Sequence, residues 1–198
     1  MRKIRGFKLG LRIKDIQRRA KKAGVDLKGL GLDTDDALTM LIDQFSCRAR
    51  PSVLYESFPA EGAKAPPPEN GLSATALSPM PGLAYTLTLT TLGPNLDSYI
   101  EERFLSFPGL NPVFNLLTQA ALDDAARFVL ALVEEEAREE RCELSPLQYA
   151  TEPAVLQTII AKLAGHKIGV TASESGLKPA RTVAFSLSWV ARSKSRAK

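Results

Sequence analysis

The stretch YTLTLTTLGPNLDSYI, from Tyr85 to Ile100, combines a strand pattern, a break and the start of a helix. Apolar side chains alternate with threonines over Tyr85–Thr91, which is the period-two pattern of a half-buried strand. Gly93 and Pro94 end this strand, and proline suits the first position of a helix because its missing N–H is not needed there. Apolar residues then continue at helical spacing at Leu96, Tyr99, Ile100 and Phe104. The stretch therefore predicts a strand that leads directly into an amphipathic helix.

Apolar residues recur at helical spacing in four other parts of the chain. Gly24 follows the first of these parts where a helix C-cap would stand, and Asp33–Asp36 supply capping oxygens before the second. The third continues into an acidic run that is typical of a solvated helix end. The predicted helices span Leu11–Ala23, the residues after Asp36 to about Cys47, Val113–Leu132 and Glu152–Leu163.

Strand patterns accompany these helices. Ser52–Phe58 is predicted to be extended, and Lys167–Ala172 and Arg181–Val190 are predicted as strands joined by the turn Ser173–Pro179. In the last strand the alternating apolar residues are Val183, Phe185, Leu187 and Trp189. The elements together predict an α+β fold, with an antiparallel sheet covered by helices on one side.

The chain divides by charge and by proline content. Residues 1–48 are predicted to be a basic helical segment, and residues 49–198 the α+β domain. Proline is dense in residues 59–82, which predicts a surface loop around Ala60–Asn70 because proline removes hydrogen-bond donors. A single domain over the whole chain is the open alternative.

The composition is that of a soluble folded protein, since 44% of the 198 residues are apolar and 24% are charged. No apolar run reaches the length of a membrane span, and the charged N-terminus lacks the apolar core of a signal peptide. A cytoplasmic protein is therefore expected, with Cys47 and Cys142 as free thiols. The net charge of +4 is concentrated at the two ends, a pattern found in nucleic-acid-binding proteins and also on solvated helix faces.

Residues suited to self-contained catalysis are scarce. His166 is the only histidine, and no GxSxG motif supplies a serine nucleophile for a catalytic triad. A structural zinc site needs four Cys or His ligands, but the chain has one histidine and two cysteines. Walker and GxGxxG motifs for phosphate binding are absent from the sequence. The residues alone therefore indicate no complex cofactor held by this chain, and they leave open whether it is an enzyme.

Three segments, read in order, carry a family resemblance. They are LTLTTLGPNLDSYIEE (Leu87–Glu102), RCELSPLQYATEPAVLQTIIAKLAGHKIGVTASES (Arg141–Ser175) and LKPARTVAFSLS (Leu177–Ser188). These segments resemble the activation domain of vitamin B12-dependent methionine synthase, especially its short stand-alone versions. A Thr-Leu-Gly-Pro-x-hydrophobic-Asp helix start falls at Thr91–Asp97, and the family's Ile-Gly-Val-x-Leu-Thr-Glu-Ser stretch is similar to Ile168–Ser175. The order and spacing of the motifs carry the resemblance, which covers most of the chain.

The resemblance implies a curved antiparallel sheet with flanking helices. It also implies that the protein binds S-adenosylmethionine and works with a corrinoid protein or a cobalamin-dependent methyltransferase, so that inactivated cobalamin is remethylated. The cobalamin would be held only by that partner. In the family an Arg-x-x-Pro-Gly-Tyr stretch holds the ligand, and the resemblance implies this role here for Arg141, Ser145, Pro146 and Tyr149.

The same stretch departs from the family pattern. With Pro146 as the motif proline, Glu143 stands at the arginine position and Arg141 lies two residues earlier. Leu147 then replaces the glycine and Gln148 the tyrosine. A non-catalytic protein-binding module on the same scaffold is the alternative, with the basic N-terminal helix docking an acidic partner. Nucleic-acid binding ranks below both, because aromatic residues are not interleaved with the basic ones at the ends.

Overall fold

A computed structural model describes residues 1–60, 77–173 and 176–192. Its strands are β1 (Arg2–Arg5), β2 (Ser52–Pro59), β3 (Ala84–Thr91), β4 (Cys142–Leu144), β5 (Gln148–Tyr149), β6 (Thr171–Ser173), β7 (Gly176–Lys178) and β8 (Thr182–Ala191). Six of these strands form one open antiparallel sheet in the order β1–β2–β3–β8–β4, with β5 also paired to β8. The other two, β6 and β7, pair only with each other within the described residues. The fold is therefore of the α+β class.

The helices of the described residues are α1 (Ile13–Ala23), α2 (Asp35–Arg48), α3 (Pro94–Ser106), α4 (Asn111–Glu139) and α5 (Pro153–Lys162). Each coincides with a predicted helix, so those predictions are confirmed. Local chemistry sets their ends: the Thr34 hydroxyl accepts a hydrogen bond from the Ala37 N–H at 3.2 Å before α2. Gly24 ends α1 with a left-handed φ of 68°. No helix of the described ranges combines the length and apolar character needed to cross a bilayer.

The central strands of the sheet are covered on both faces. On one face Phe185, Leu187 and Trp189 of β8 pack with residues of α4, and on the other Leu87 and Leu89 of β3 pack with residues of α5. The predicted alternation of β8 is confirmed. The prediction of helices on one side of the sheet is wrong, because α4 and α5 lie on opposite faces.

The half-buried character predicted for β3 is also wrong. Thr86, Thr88 and Thr90 are 0% exposed, and the strand register places them on the face that α4 covers. Threonine fits there because its methyl group is apolar and its hydroxyl is small. The Thr86 hydroxyl accepts a hydrogen bond from the Trp189 indole N–H at 2.7 Å and lies 2.8 Å from the Ser57 hydroxyl.

Replacing Thr88 by Val should stabilise the fold. The Thr88 hydroxyl is buried and has no hydrogen-bond partner among the described residues, so it contributes only the cost of desolvation. Valine has the same branched shape, and we expect the free energy of unfolding to rise by about 1 kcal/mol in denaturant titrations. The matched change Thr86→Val should lower it by about 1 kcal/mol, because Trp189 and Ser57 lose their partner. Destabilisation of similar size by both changes would contradict this account.

The basic N-terminal segment shares a core with the rest of the chain. β1 pairs with β2 over the whole of Arg2–Arg5. Ile16 of α1 and Phe45 of α2 are fully buried in one apolar cluster with residues of α3 and α4. Strand pairing and core packing therefore both cross the boundary predicted at residue 48. The predicted loop around Ala60–Asn70 lies, apart from Ala60, outside the described residues.

The segment before β8 differs from its prediction. Gly165–Ile168 form a 3₁₀ helix and β6 starts only at Thr171, so the strand predicted over Lys167–Ala172 is wrong at its start. Gly169 has a φ of 72°, which interrupts an extended chain. β6 then pairs with β7, whereas β8 pairs with β3. The predicted turn Ser173–Pro179 therefore contains a strand, β7, and the strands on its two sides, β6 and β8, have different partners.

Candidate functional site

The stretch with the implied ligand-binding role forms an edge of the main sheet. β4 and β5 follow each other along β8, and Ser145 lies between them. The Ser145 N–H donates to the Ser188 carbonyl at 2.9 Å, and its hydroxyl oxygen accepts from the Ser188 N–H at 2.9 Å. The buried Ser145 side chain thus takes the place of a main-chain acceptor. These two hydrogen bonds attach the segment between β4 and β5 to β8, just before the exposed Pro146.

Beyond β5 the edge of β8 borders a hollow of about 400 Å³, here called the β5 groove. A second hollow of about 230 Å³ shares Thr151 and Leu156 with it. The β5 groove is lined by Tyr149, Ala150, Thr151, Leu156, Leu177, Ala180, Thr182, Val183 and Ala184. It therefore lies where β5, α5 and the β7–β8 link meet.

The walls of the β5 groove are mostly apolar, and Tyr149 is the one ionisable residue among the described residues of its lining. The Tyr149 ring meets Phe185 edge-on, with 5.8 Å between the ring centroids. Burial, and after it the charge of Asp123, raises the pKa of Tyr149 above its ordinary value. The phenol is therefore neutral at physiological pH and can donate a hydrogen bond.

Main-chain groups add polarity at the open edge. The Ala150 N–H donates to the Ala184 carbonyl at 2.9 Å, which is the last such bond before the edge opens. Because alternate residues of an antiparallel strand direct their main-chain groups to the same neighbour, those of Thr182 face this edge. The groove can therefore hold a flat, uncharged group against an apolar wall with polar groups at one end.

The structure does not bring Arg141 to this groove. Arg141 is exposed, in a left-handed conformation with a φ of 56°, just before β4. Cys142 lies opposite Ala191, whereas Tyr149 lies opposite Phe185. Six residues of β8 separate these points, a distance of about 20 Å, which exceeds the length of one S-adenosylmethionine molecule. Of the four residues with the implied role, Tyr149 is the one in the lining of the groove.

Two stretches of the resemblance, Leu87–Glu102 and Leu177–Ser188, meet at the C-terminal end of β3. Leu92 N–H donates to the Arg181 carbonyl at 2.9 Å. The Asp97 carboxylate accepts from the Ala180 N–H and from the Arg181 guanidinium, the latter at 3.2 Å. The Asp97 and Arg181 side chains are 13% and 19% exposed. Asp97 therefore fixes the position of Ala180 through the hydrogen bond from its N–H. This ion pair was not predicted from the sequence, although the opposite charges of Asp97 and Arg181 in two motif stretches were a usable signal.

The remaining chemistry-bearing residues lie apart from the groove. His166 is exposed in the 3₁₀ helix, and Cys47 and Cys142 are free thiols. In the parts of the chain that the structure describes, no group of three or more His, Cys, Asp and Glu side chains is placed to hold a metal ion. The chain matches no protein-family model and no curated protein. The resemblance to the activation domain of methionine synthase therefore rests on the motifs alone.

Proposed function

We propose that this chain is an activation-domain-like protein that works with a corrinoid protein or cobalamin-dependent methyltransferase and binds S-adenosylmethionine in the β5 groove. One observation carries the proposal. Two separate stretches of the resemblance, Arg141–Ser175 and Leu177–Ser188, supply all the described residues that line this hollow. In the first, Tyr149 ends the stretch that resembles the family's ligand-binding motif.

The groove suits the nucleoside end of such a ligand better than its charged end. The main chain of Thr182 offers polar contacts beside the apolar side chains of Leu156 and Leu177. The described residues of the lining include no charged side chain for the carboxylate of the methionine part. We therefore expect weak binding, with a Kd of about 0.1–1 mM.

In this role the chain binds and orients the methyl donor. Holding the donor in one position is the contribution that a scaffold without catalytic side chains can make. The cobalt chemistry is supplied by cobalamin on the partner.

Calorimetric titration with S-adenosylmethionine tests the groove. The wild type should give saturable heat, and Ala180→Phe should weaken binding at least about tenfold because the ring fills the hollow. Ala191→Phe is the matched control, since it makes the same change at the exposed end of β8 beside Arg141. Loss of binding in the control alone would place the ligand at Arg141. Absence of heat at millimolar ligand would contradict S-adenosylmethionine binding.

The alternative is a non-catalytic protein-binding module on the same scaffold. The β5 groove favours it, because none of the described residues that line the groove can form an ion pair with the carboxylate of the ligand. An activity assay distinguishes the two functions. It measures whether an inactivated cobalamin-dependent methyltransferase recovers activity when this protein and S-adenosylmethionine are added. Recovery that Ala180→Phe abolishes supports the first function. Complex formation without recovery or ligand binding supports the alternative.

A further inference from the structure

A second surface lies between the N-terminal segment and α4. It is an open cleft of about 830 Å³, here called the basic cleft. Its lining is Lys8, Gly10, Arg12, Lys14, Asp15, Arg18, Asp124, Arg127 and Phe128. These residues come from the chain between β1 and α1, from α1 itself and from one stretch of α4.

The sequence before α1 builds one wall of the cleft. Phe7, Leu9 and Leu11 are partly buried against the core, whereas Lys8, Gly10 and Arg12 are exposed. This alternation is that of an extended chain with one apolar and one polar side. Phe7 stacks on Phe128 of α4 with 4.6 Å between ring centroids, and the Gly10 N–H donates to the Asp124 carboxylate at 2.7 Å. The contacts of Phe7 and Gly10 therefore fix this wall against α4.

The two carboxylates of the cleft are already engaged. Asp15 accepts from Arg19 at 2.9 Å and also from Arg18, and Asp124 accepts from Gly10 and, at 3.4 Å, from Arg127. The hydrogen bond from Arg19 is the main cause that holds the pKa of Asp15 below its ordinary value. Both acids are thus matched by arginines of the protein itself.

The cations of the N-terminal wall are not matched in this way. Within the described residues Lys8, Arg12 and Lys14 have no ion pair and no hydrogen bond from their side chains. All three are exposed. Their charges are therefore available to an anionic partner.

The arrangement fits an elongated acidic partner better than a compact anion. Lys8 and Arg12 are separated by about 13 Å of extended chain, which is too far for one phosphate to bridge. Nucleic-acid bases bind by stacking on aromatic rings, and Phe128, the one aromatic among the described residues of the lining, already has its ring stacked on Phe7. A peptide places its carboxylates at intervals and can set small apolar side chains against Phe128.

We infer that the basic cleft docks an extended acidic segment of a partner protein, whose carboxylates meet Lys8, Arg12 and Lys14. This docking goes beyond the proposed function, because it holds whether or not the β5 groove takes S-adenosylmethionine. Attraction between the exposed charges also makes the association salt-dependent.

Fluorescence anisotropy with a labelled ten-residue peptide of alternating Glu and Ala tests the inference. The full chain should bind this peptide, with an affinity that falls as salt is added, and should not bind the same peptide with Gln in place of Glu. The triple variant Lys8→Glu, Arg12→Glu, Lys14→Glu should weaken binding at least about tenfold. Failure of the wild type to bind the acidic peptide would overturn the inference.

A matched control separates the cleft from general charge. The variant Lys21→Glu, Lys22→Glu, Lys28→Glu changes the net charge by the same amount at exposed positions outside the cleft. It should keep affinity within about twofold, because its changes lie outside the contact. Equal loss in both triple variants would overturn the inference. So would tighter binding of a ten-nucleotide oligothymidine that only the cleft variant loses, since that result assigns the cleft to nucleic acid.

Discussion

Replacing Phe185 by Ala should lower the free energy of unfolding by about 3–5 kcal/mol. Phe185 is 0% exposed at the middle of β8, where it packs with residues of α4 and opposite Thr88 of β3. Removing the ring leaves a cavity between two elements that cannot close on it, because interiors are already densely packed. Denaturant titration can follow the loss by the fluorescence of the single tryptophan, Trp189, which is 6% exposed.

The same chemical change at an exposed ring provides the control for Phe185. Phe104 lies on α3 and is 45% exposed, so Phe104→Ala should cost less than about 1 kcal/mol. Similar losses at both positions would show that β8 is not the centre of the core. A folded Phe185→Ala protein at low temperature should also bind S-adenosylmethionine more weakly, because Tyr149 loses the ring it packs against.

Replacing Asp97 by Ala should lower the free energy of unfolding by about 2–3 kcal/mol. The change leaves the Ala180 N–H and the largely buried Arg181 guanidinium without their common acceptor. Asp97 is near the start of α3, whereas Ala180 and Arg181 precede β8. The substitution therefore removes contacts between two elements that are distant in sequence. Thermal and denaturant unfolding both measure the effect.

Two further variants isolate the cause of the Asp97 effect. Asp97→Asn retains an acceptor for the Ala180 N–H but removes the charge, so we expect a smaller loss of about 1–2 kcal/mol. Asp43→Ala removes an exposed carboxylate from α2 and should change stability by less than about 0.5 kcal/mol. An Asp97→Ala protein as stable as Asp43→Ala would contradict a structural role for the ion pair. If Asp97 positions the wall of the β5 groove, ligand affinity should fall with stability.

The sequence predicted the helices and the last strand well because each depends on a period set by the backbone itself. Side chains repeat about every 3.6 residues on a helix face and every two residues on a strand face, so α4 and β8 can be recognised from their own residues. Proline and glycine have equally local effects, which located the break at Gly93 and Pro94. The stretch Tyr85–Ile100 accordingly folds as β3 followed by α3.

Only the tertiary structure decided which surfaces these elements share. The alternation in β3 shows that its two faces differ, but not that α4 covers the threonine face. Nor could spacing place Arg141 beside the C-terminal end of β8 and Tyr149 beside its middle, since strand register depends on pairing partners. The β5 groove and the basic cleft likewise form where segments distant in sequence meet. Local periodicity determined the elements of this protein, and long-range packing determined its candidate sites.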